Sequence, residues 1–246
     1  MSRATSVLVN VTGTIFLYYM ISACANVGVP TGGQKDTSPP VVVQSSPPDK
    51  SFNFNGDVIR ITFDEFIQLK NISQQLIVSP PFKDKPEVKL RNKTLVISLN
   101  NPLRDSTTYT LYFGDAVADL NEGNIFRNFR FVFSTGNKID SLKTGGTLVN
   151  AFTLKPEKDV MVMLYADKSD SAPLKDMPLY VSRTGDKGEF LITNIRKGVY
   201  KVFAKTTMRI SGTISYLSLL HSAIPSSHPR QKPLYFTTLS GQKQIQ

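Results

Sequence analysis

Val58-Ile59-Arg60-Ile61-Thr62-Phe63 places Ile59, Ile61 and Phe63 on one side of an extended chain and Val58, Arg60 and Thr62 on the other. Apolar residues at every second position mark a strand with one face in a core and one in water. The pattern recurs in Thr94 to Leu99, through Leu95, Ile97 and Leu99. It returns in Thr108 to Phe113, through Tyr109, Leu111 and Phe113, and in aromatic form at Phe129, Phe131 and Phe133. Burying three large side chains per strand, at roughly 1.5–3 kcal/mol each, lets two facing sheets cohere without a disulfide. Pro80-Pro81 and Asn100-Asn101-Pro102 interrupt the runs, since proline gives a central ladder no N–H. No stretch carries a helical stripe, although Phe66 to Leu76 has room for one turn. Residues 39–136 therefore read as an antiparallel sandwich of about seven strands.

Outward from there, Asn137 to Thr144 is a short polar linker, and residues 145–204 form a second all-β unit. Val160, Val162 and Leu164 alternate inward, and Leu179-Tyr180-Val181 makes another strand. Thr184-Gly185-Asp186-Lys187-Gly188-Glu189-Phe190 is a polar turn entering a strand, and Gly198-Val199-Tyr200 opens the next. Gly188 and Gly198 are expected to supply backbone freedom at tight turns. Tyr109, four residues after Asp105, resembles the tyrosine corner of Greek-key sandwiches, whose hydroxyl bonds to the chain a few residues upstream. An ordinary core tyrosine is the alternative reading.

Before the sandwiches, Arg3 precedes a mostly apolar run from Val7 to Met20, and Ile21-Ser22-Ala23 leads to Cys24, the sole cysteine of 246 residues. The run has the layout of a secretory signal and is short for a membrane span. A branched aliphatic three places before a cysteine, with two small residues between, resembles the lipobox of bacterial lipoproteins. The resemblance implies cleavage after residue 23 and acylation of Cys24, palmitate included. A buried thiol in an uncleaved anchor helix is the rival reading; the lack of a disulfide partner disfavours a structural role in an oxidising compartment. Residues 24–38 begin a Gly-, Pro-, Ser- and Thr-rich tether that continues in composition to Ser51. One acyl chain binds a bilayer reversibly. Three, at roughly 0.8 kcal/mol per buried methylene, hold a protein there for its lifetime. Ala25-Asn26-Val27-Gly28 contains no acidic run of the kind that serves as a surface-export signal in lipoproteins, so the expected location is the periplasmic side of the outer membrane.

The net charge of +10 has the look of a nucleic-acid binder until it is divided along the chain. Half of the surplus lies in the last 43 residues, which hold no acid at all. Between residues 25 and 203, 23 basic side chains are interspersed with 19 acidic ones, which describes a solvated surface and no nucleic-acid partner.

Further motifs carry a family resemblance. Cys24-Ala25-Asn26, Pro30-Thr31-Gly32-Gly33 and Lys35-Asp36-Thr37-Ser38-Pro39-Pro40 resemble the start of Ig-like domain lipoproteins of Gram-negative bacteria. Ile61 to Phe66, Leu76 to Pro81, Tyr109 to Asp115, Asp119 to Asn124 and Phe131 to Gly136 are similar to the bacterial Ig-like domain itself. Residues 145–204 resemble a shortened transthyretin-like, or carboxypeptidase-regulatory-like, sandwich. Its hallmark Thr-Asp-x-x-Gly-x-Phe turn is one residue off a strict match here, and Gly-x-Tyr follows at Gly198 to Tyr200. The resemblance implies no catalytic residue to carry over. From Lys205 the chain departs from the family. Codons for Lys205-Thr206-Thr207-Met208-Arg209 and onward exist whose register two bases later reads Asp-Asp-Asn-Ala-Asp-Phe-Arg-Tyr-Asp-Phe, the kind of loop relatives carry. Residues 205–246 are therefore expected to be a frameshifted, disordered ending outside the fold.

Candidate chemistry is sparse. His221 and His228, the only histidines, lie in the tail without cysteine or carboxylate neighbours for zinc. Asp115, Asp119, Asn121, Glu122 and Asn124 cluster oxygens, but not in the order of an EF-hand loop. Side chains capping a turn explain them more simply, and a calcium site of another kind stays open. Asp64 and Glu65 are adjacent on a strand end and point to opposite faces, poor geometry for an acid–base pair. No Gly-x-Ser-x-Gly elbow occurs, and Thr31 to Lys35 lacks phosphate-loop spacing. The expectation is an all-β protein of two tandem sandwiches on a lipid anchor, without cofactor or metal. It would act non-catalytically as an envelope spacer or interaction module, its partners the membrane and an envelope protein or glycan. Carbohydrate binding in support of glycan uptake is the second reading and an envelope enzyme the third.

Overall fold

The computed structural model describes residues 33–150 and 153–206, and the backbone of residues 219–222 and 235–238. The described residues from Thr37 onward form one compact unit. Cys24 and the apolar run before it lie outside the described residues, as does His228. No described helix is long and apolar enough to cross a membrane.

The first sandwich contains nine short strands: β1 (Val42–Ser46), β2 (Val58–Phe63), β3 (Ile67–Leu69), β4 (Ile77–Ser79), β5 (Glu87–Arg91), β6 (Thr94–Ser98), β7 (Thr108–Gly114), β8 (Val117–Asp119) and β9 (Phe129–Ser134). They make a sheet of order β1-β2-β6-β5, a facing sheet of order β4-β7-β9 and a small β3-β8 pair, all antiparallel. A single helical turn, α1 (Ile72–Gln75), falls within the stretch where the sequence had room for one. The alternating triads meet in the middle: Ile59, Ile61, Leu95, Ile97, Leu111, Phe113 and Phe133 are fully buried, and Phe63 and Tyr109 nearly so. Aromatic rings link the sheets, Phe63 of β2 meeting Phe129 of β9 edge-on at 6.0 Å. Within the β4-β7-β9 sheet Tyr109 stacks on its neighbour Phe133 at 5.2 Å, and Phe54 meets Phe133 edge-on at 4.8 Å. Such pairs add about 0.5–1.5 kcal/mol beyond their burial.

The free edge of β9 is covered. Lys50 N–H bonds to Val132 O at 2.7 Å, Phe54 N–H to Ser134 O at 2.9 Å, and the Asp49 carboxylate takes Val132 N–H at 2.9 Å. An edge strapped this way offers no ready template for pairing with another chain. Tyr109 Oη accepts the backbone N–H of Arg104, five residues upstream, at 2.8 Å, so the phenol ties the loop before β7 to the core. Burial raises the Tyr109 pKa, the Arg104 backbone bond and guanidinium opposing it.

The second sandwich is built from β10 (Leu142–Asn150), β11 (Val160–Tyr165), a helical turn α2 (Ala172–Lys175), β12 (Tyr180–Arg183), β13 (Glu189–Ile195) and β14 (Val199–Thr206). One sheet runs β12-β11-β14 and the other pairs β13 with β10, enclosing Leu148, Val162, Leu164, Ile192, Ile195 and Val202. Of residues 205–246, expected to stand outside the fold, Lys205 and Thr206 end β14, and two segments are strands. Leu219–Ser222 (β15) pairs antiparallel with β14, and Tyr235–Thr238 (β16) pairs with β10 in parallel, which departs from the all-antiparallel expectation. Tyr235–Thr238 consists of β-formers throughout, and both segments meet sheet edges left open by the other described strands.

The turns at Gly188 and Gly198 use glycine for different reasons. Gly188 has φ +71°, and a Cβ there would lie 2.3 Å from Leu148 O. Gly198 does not have positive φ, which corrects the expectation of backbone freedom at this position. A Cβ on Gly198 would meet Tyr200 Oη at 2.9 Å and Cζ at 3.0 Å, so the residue is small because the following tyrosine folds over it.

Candidate functional site

Strand alternation also decides what the first sandwich shows to the second. With Tyr109, Leu111 and Phe113 turned inward, Thr108, Thr110 and Tyr112 lie on the outer face of β7. Thr108 and Thr110 are nevertheless buried, because the second sandwich covers them. Thr110 Oγ1 bonds to Asn194 Oδ1 at 3.1 Å, and Asn194 Nδ2 donates to Asp140 O at 3.0 Å. Asp140 N–H bonds to Thr108 Oγ1 at 2.9 Å, and its carboxylate lies 3.8 Å from Arg196 Nε. Arg196 also reaches Ser106 O through Nη2. Asn194 holds φ +59° in an irregular stretch of the β10–β13 pairing, a conformation asparagine tolerates better than most residues. Beside this lock, the β12 edge meets β4, where Val181 N–H bonds to the buried Ser79 Oγ at 3.1 Å.

Arg196 is itself held on its backbone. Its N–H bonds to Tyr180 Oη at 3.0 Å, and its carbonyl accepts the Tyr200 hydroxyl at 2.8 Å. Burial, with Tyr180 adding to it, pushes the Tyr200 phenol far above its ordinary range, so it stays a donor.

Two cavities flank the junction. One is a polar cleft of about 1030 Å³. Its first-sandwich wall carries Gln74, Tyr112, Asp115, Arg127, Asn128 and Arg130. The Arg130 guanidinium lies 5.0 Å from the Tyr112 ring centre, and the Tyr112 hydroxyl bonds to Asn128 at 2.8 Å. Its opposite wall carries Lys158, Asp159, Arg183, Asp186 and Glu189 from the second sandwich. Lys158 and Asp186 pair at 2.6 Å, each favouring the other's charged form, so the lysine pKa rises and the aspartate pKa falls. Arg183 Nε is buried without a hydrogen-bond partner among the described residues. The other cavity, about 960 Å³, is an apolar groove lined by Phe82, Met161, Met163 and Met177, and it shares Gln74, Ile77, Asp159, Val181 and Arg183 with the cleft.

The oxygen-rich segment after β8 is a capped loop. Asp119, 1 % exposed, accepts Glu122 N–H at 2.6 Å and Gly123 N–H at 2.9 Å on Oδ1, and Asn124 N–H at 2.8 Å on Oδ2. Both carboxylate oxygens thus face backbone donors, as expected of a side chain that caps a turn. Burial pushes the Asp119 pKa up, but the N–H bonds from Gly123, Asn124, Glu122 and Asn121 outweigh it and hold the group below its usual value. A depressed pKa contributes stability above the unfolded carboxylate pKa, and that stability is lost as pH falls through the folded one. Asp119→Asn is therefore expected to destabilise the protein at neutral pH, with the gap to the parent closing in acid. Urea midpoints measured across pH check this; a constant gap would refute it. Among the described residues no group of three His, Cys, Asp or Glu side chains has metal-binding geometry.

Of the residues singled out in sequence, Tyr109 stands in the core of the first sandwich and Gly188 and Gly198 pack within the second, and none of them lines the cleft. Asp64 serves the end of the first sandwich, its carboxylate taking Val41 N–H at 2.9 Å. His221 lies on β15. The junction and the cleft were missed, because their residues read as ordinary outward-facing polar side chains.

The bacterial Ig-like domain family matches residues 36–135. No curated protein matches the sequence. Solved structures resemble it distantly. The major pilin subunit BcpA of Bacillus cereus is 11% identical over 82% of this chain and 71% of its own, with a TM-score of 0.26. The N-terminal part of the bacterial S-layer protein SbsC is 12% identical over 83% of this chain at a TM-score of 0.28. This chain spans 44% of its length. An L,D-transpeptidase from Mycobacterium smegmatis is 11% identical over 73% of this chain and 80% of its own, at 0.26. Likeness at this level carries no argument about function.

Proposed function

We propose, from the premise that residues 36–135 form a bacterial Ig-like domain, that this protein is a lipid-anchored spacer or interaction module of the cell envelope. It acts by contact and not by catalysis. The observation that carries the proposal is the lock at Thr108, Thr110, Asp140, Asn194 and Arg196, which joins two sandwiches through several side chains where a loose linker would suffice. A spacer needs such a joint, because a freely hinged pair transmits no fixed distance or orientation. The second unit serves as a transthyretin-like companion to the first. Cys24 carries the acyl chains, and the protein faces the periplasm from the outer membrane.

Labelling with radioactive palmitate in a Gram-negative host tests the anchor. The full chain should take up label and sediment with membranes, and Cys24→Ala should abolish both. A parent chain that stays unlabelled and soluble would defeat the proposal. The polar cleft favours a second reading in which the contact made is with a glycan.

A further inference from the structure

We propose that the polar cleft between the sandwiches is a binding site for a neutral oligosaccharide; this deepens the reading of the protein as a contact module and rests on it. At about 1030 Å³ the cleft stands at the upper end of ordinary ligand sites, which run to ~1,000 Å³, so it has room for more than one sugar ring.

Its chemistry is that of a partner for hydroxyl groups. A hydroxyl both donates and accepts, so a wall that holds one needs both kinds of group. Arg130, Arg183 and Gln74 offer donors, and Asp115, Asp186 and Glu189 offer acceptors. Carboxylates are as numerous as cations along the lining, so no net field gathers a polyanion or a polycation. A peptide would be expected to look for apolar pockets for its side chains. Those lie in the neighbouring groove, with Phe82 and the three methionines. Arg183, on the boundary of cleft and groove, adds a donor. Its buried Nε lacks a partner among the described residues, and a rotation that brings it onto a ligand oxygen relieves an unfavourable state. Arg130 already covers a face of the Tyr112 ring, which limits stacking on a sugar, so binding is weak, on the order of millimolar.

The test titrates the full chain with neutral hexasaccharides of β-1,4-glucan, β-1,4-mannan, β-1,4-xylan and α-1,4-glucan, read by amide shifts in NMR. At least one should bind saturably and move amides around Gln74, Arg130 and Asp186. Glu189→Gln and Asp186→Asn, both at residues that line the cleft and not the groove, should each weaken it by about three- to tenfold. Met177→Ser, in the apolar groove, should leave it unchanged, and unchanged melting temperatures show that the variants fold. The proposal is overturned if no hexasaccharide binds up to its solubility limit, or if the cleft variants bind as the parent does. It is equally overturned if a sulfated hexasaccharide outcompetes the neutral ones. Palmitate labelling does not depend on any of these outcomes, so the anchor and the glycan site fail separately.

Discussion

Phe133→Ala is expected to lower the stability of the first sandwich by about 3–5 kcal/mol, the range for truncating a buried aromatic. Phe133 is fully buried and joins Phe54 to Tyr109, stacked on the tyrosine and edge-on to the phenylalanine. Neither neighbour is free to collapse into the cavity. Tyr109 is pinned through its hydroxyl to Arg104 N–H, and Phe54 through its backbone to Ser134 O. A pinned cavity stays open, so the cost belongs in the upper part of the range. Urea unfolding checks this: the midpoint of the first sandwich should fall sharply while the slope holds, because the surface exposed on unfolding is unchanged. A loss below about 1 kcal/mol would mean that the ring contributes little beyond its neighbours.

The cores were legible because burial on one face writes itself as alternation. Ile59, Ile61 and Phe63, or Leu95, Ile97 and Leu99, need no structure to be assigned inward. Edge strands gave no such signal: Glu87–Arg91 faces water along most of its length, and its sequence does not alternate cleanly. Tyr109 announced its upstream contact through its place after a loop. The lock between sandwiches stayed silent, since Thr110 and Asn194 are 84 residues apart and each alone reads as a solvated polar residue. A buried threonine on the outer face of a strand is recognisable only once its cover is known. Gly198 illustrates the same limit. Its need for a small side chain lies in how the Tyr200 ring folds back, which no turn rule encodes.

Gly188→Ala should strike the second sandwich alone. With φ +71°, a residue bearing Cβ sits in the left-handed region at roughly 1–2 kcal/mol. That is the smaller part of the effect. The added carbon would stand 2.3 Å from Leu148 O, a carbonyl that accepts Glu157 N–H at 3.0 Å, while Leu148 N–H bonds to Gly188 O at 2.8 Å. Relief requires moving backbone that forms part of this ladder, so the total reaches about 3 kcal/mol or more. The apolar cores of the two sandwiches are separate, and what joins them is the polar lock. Calorimetry of the variant is therefore expected to show the second sandwich melting early and the first near its parental temperature, splitting the transition in two. A single transition displaced as a whole would show instead that the lock couples the sandwiches strongly enough to make them unfold together, and that rigidity at the joint exceeds the stability of either half.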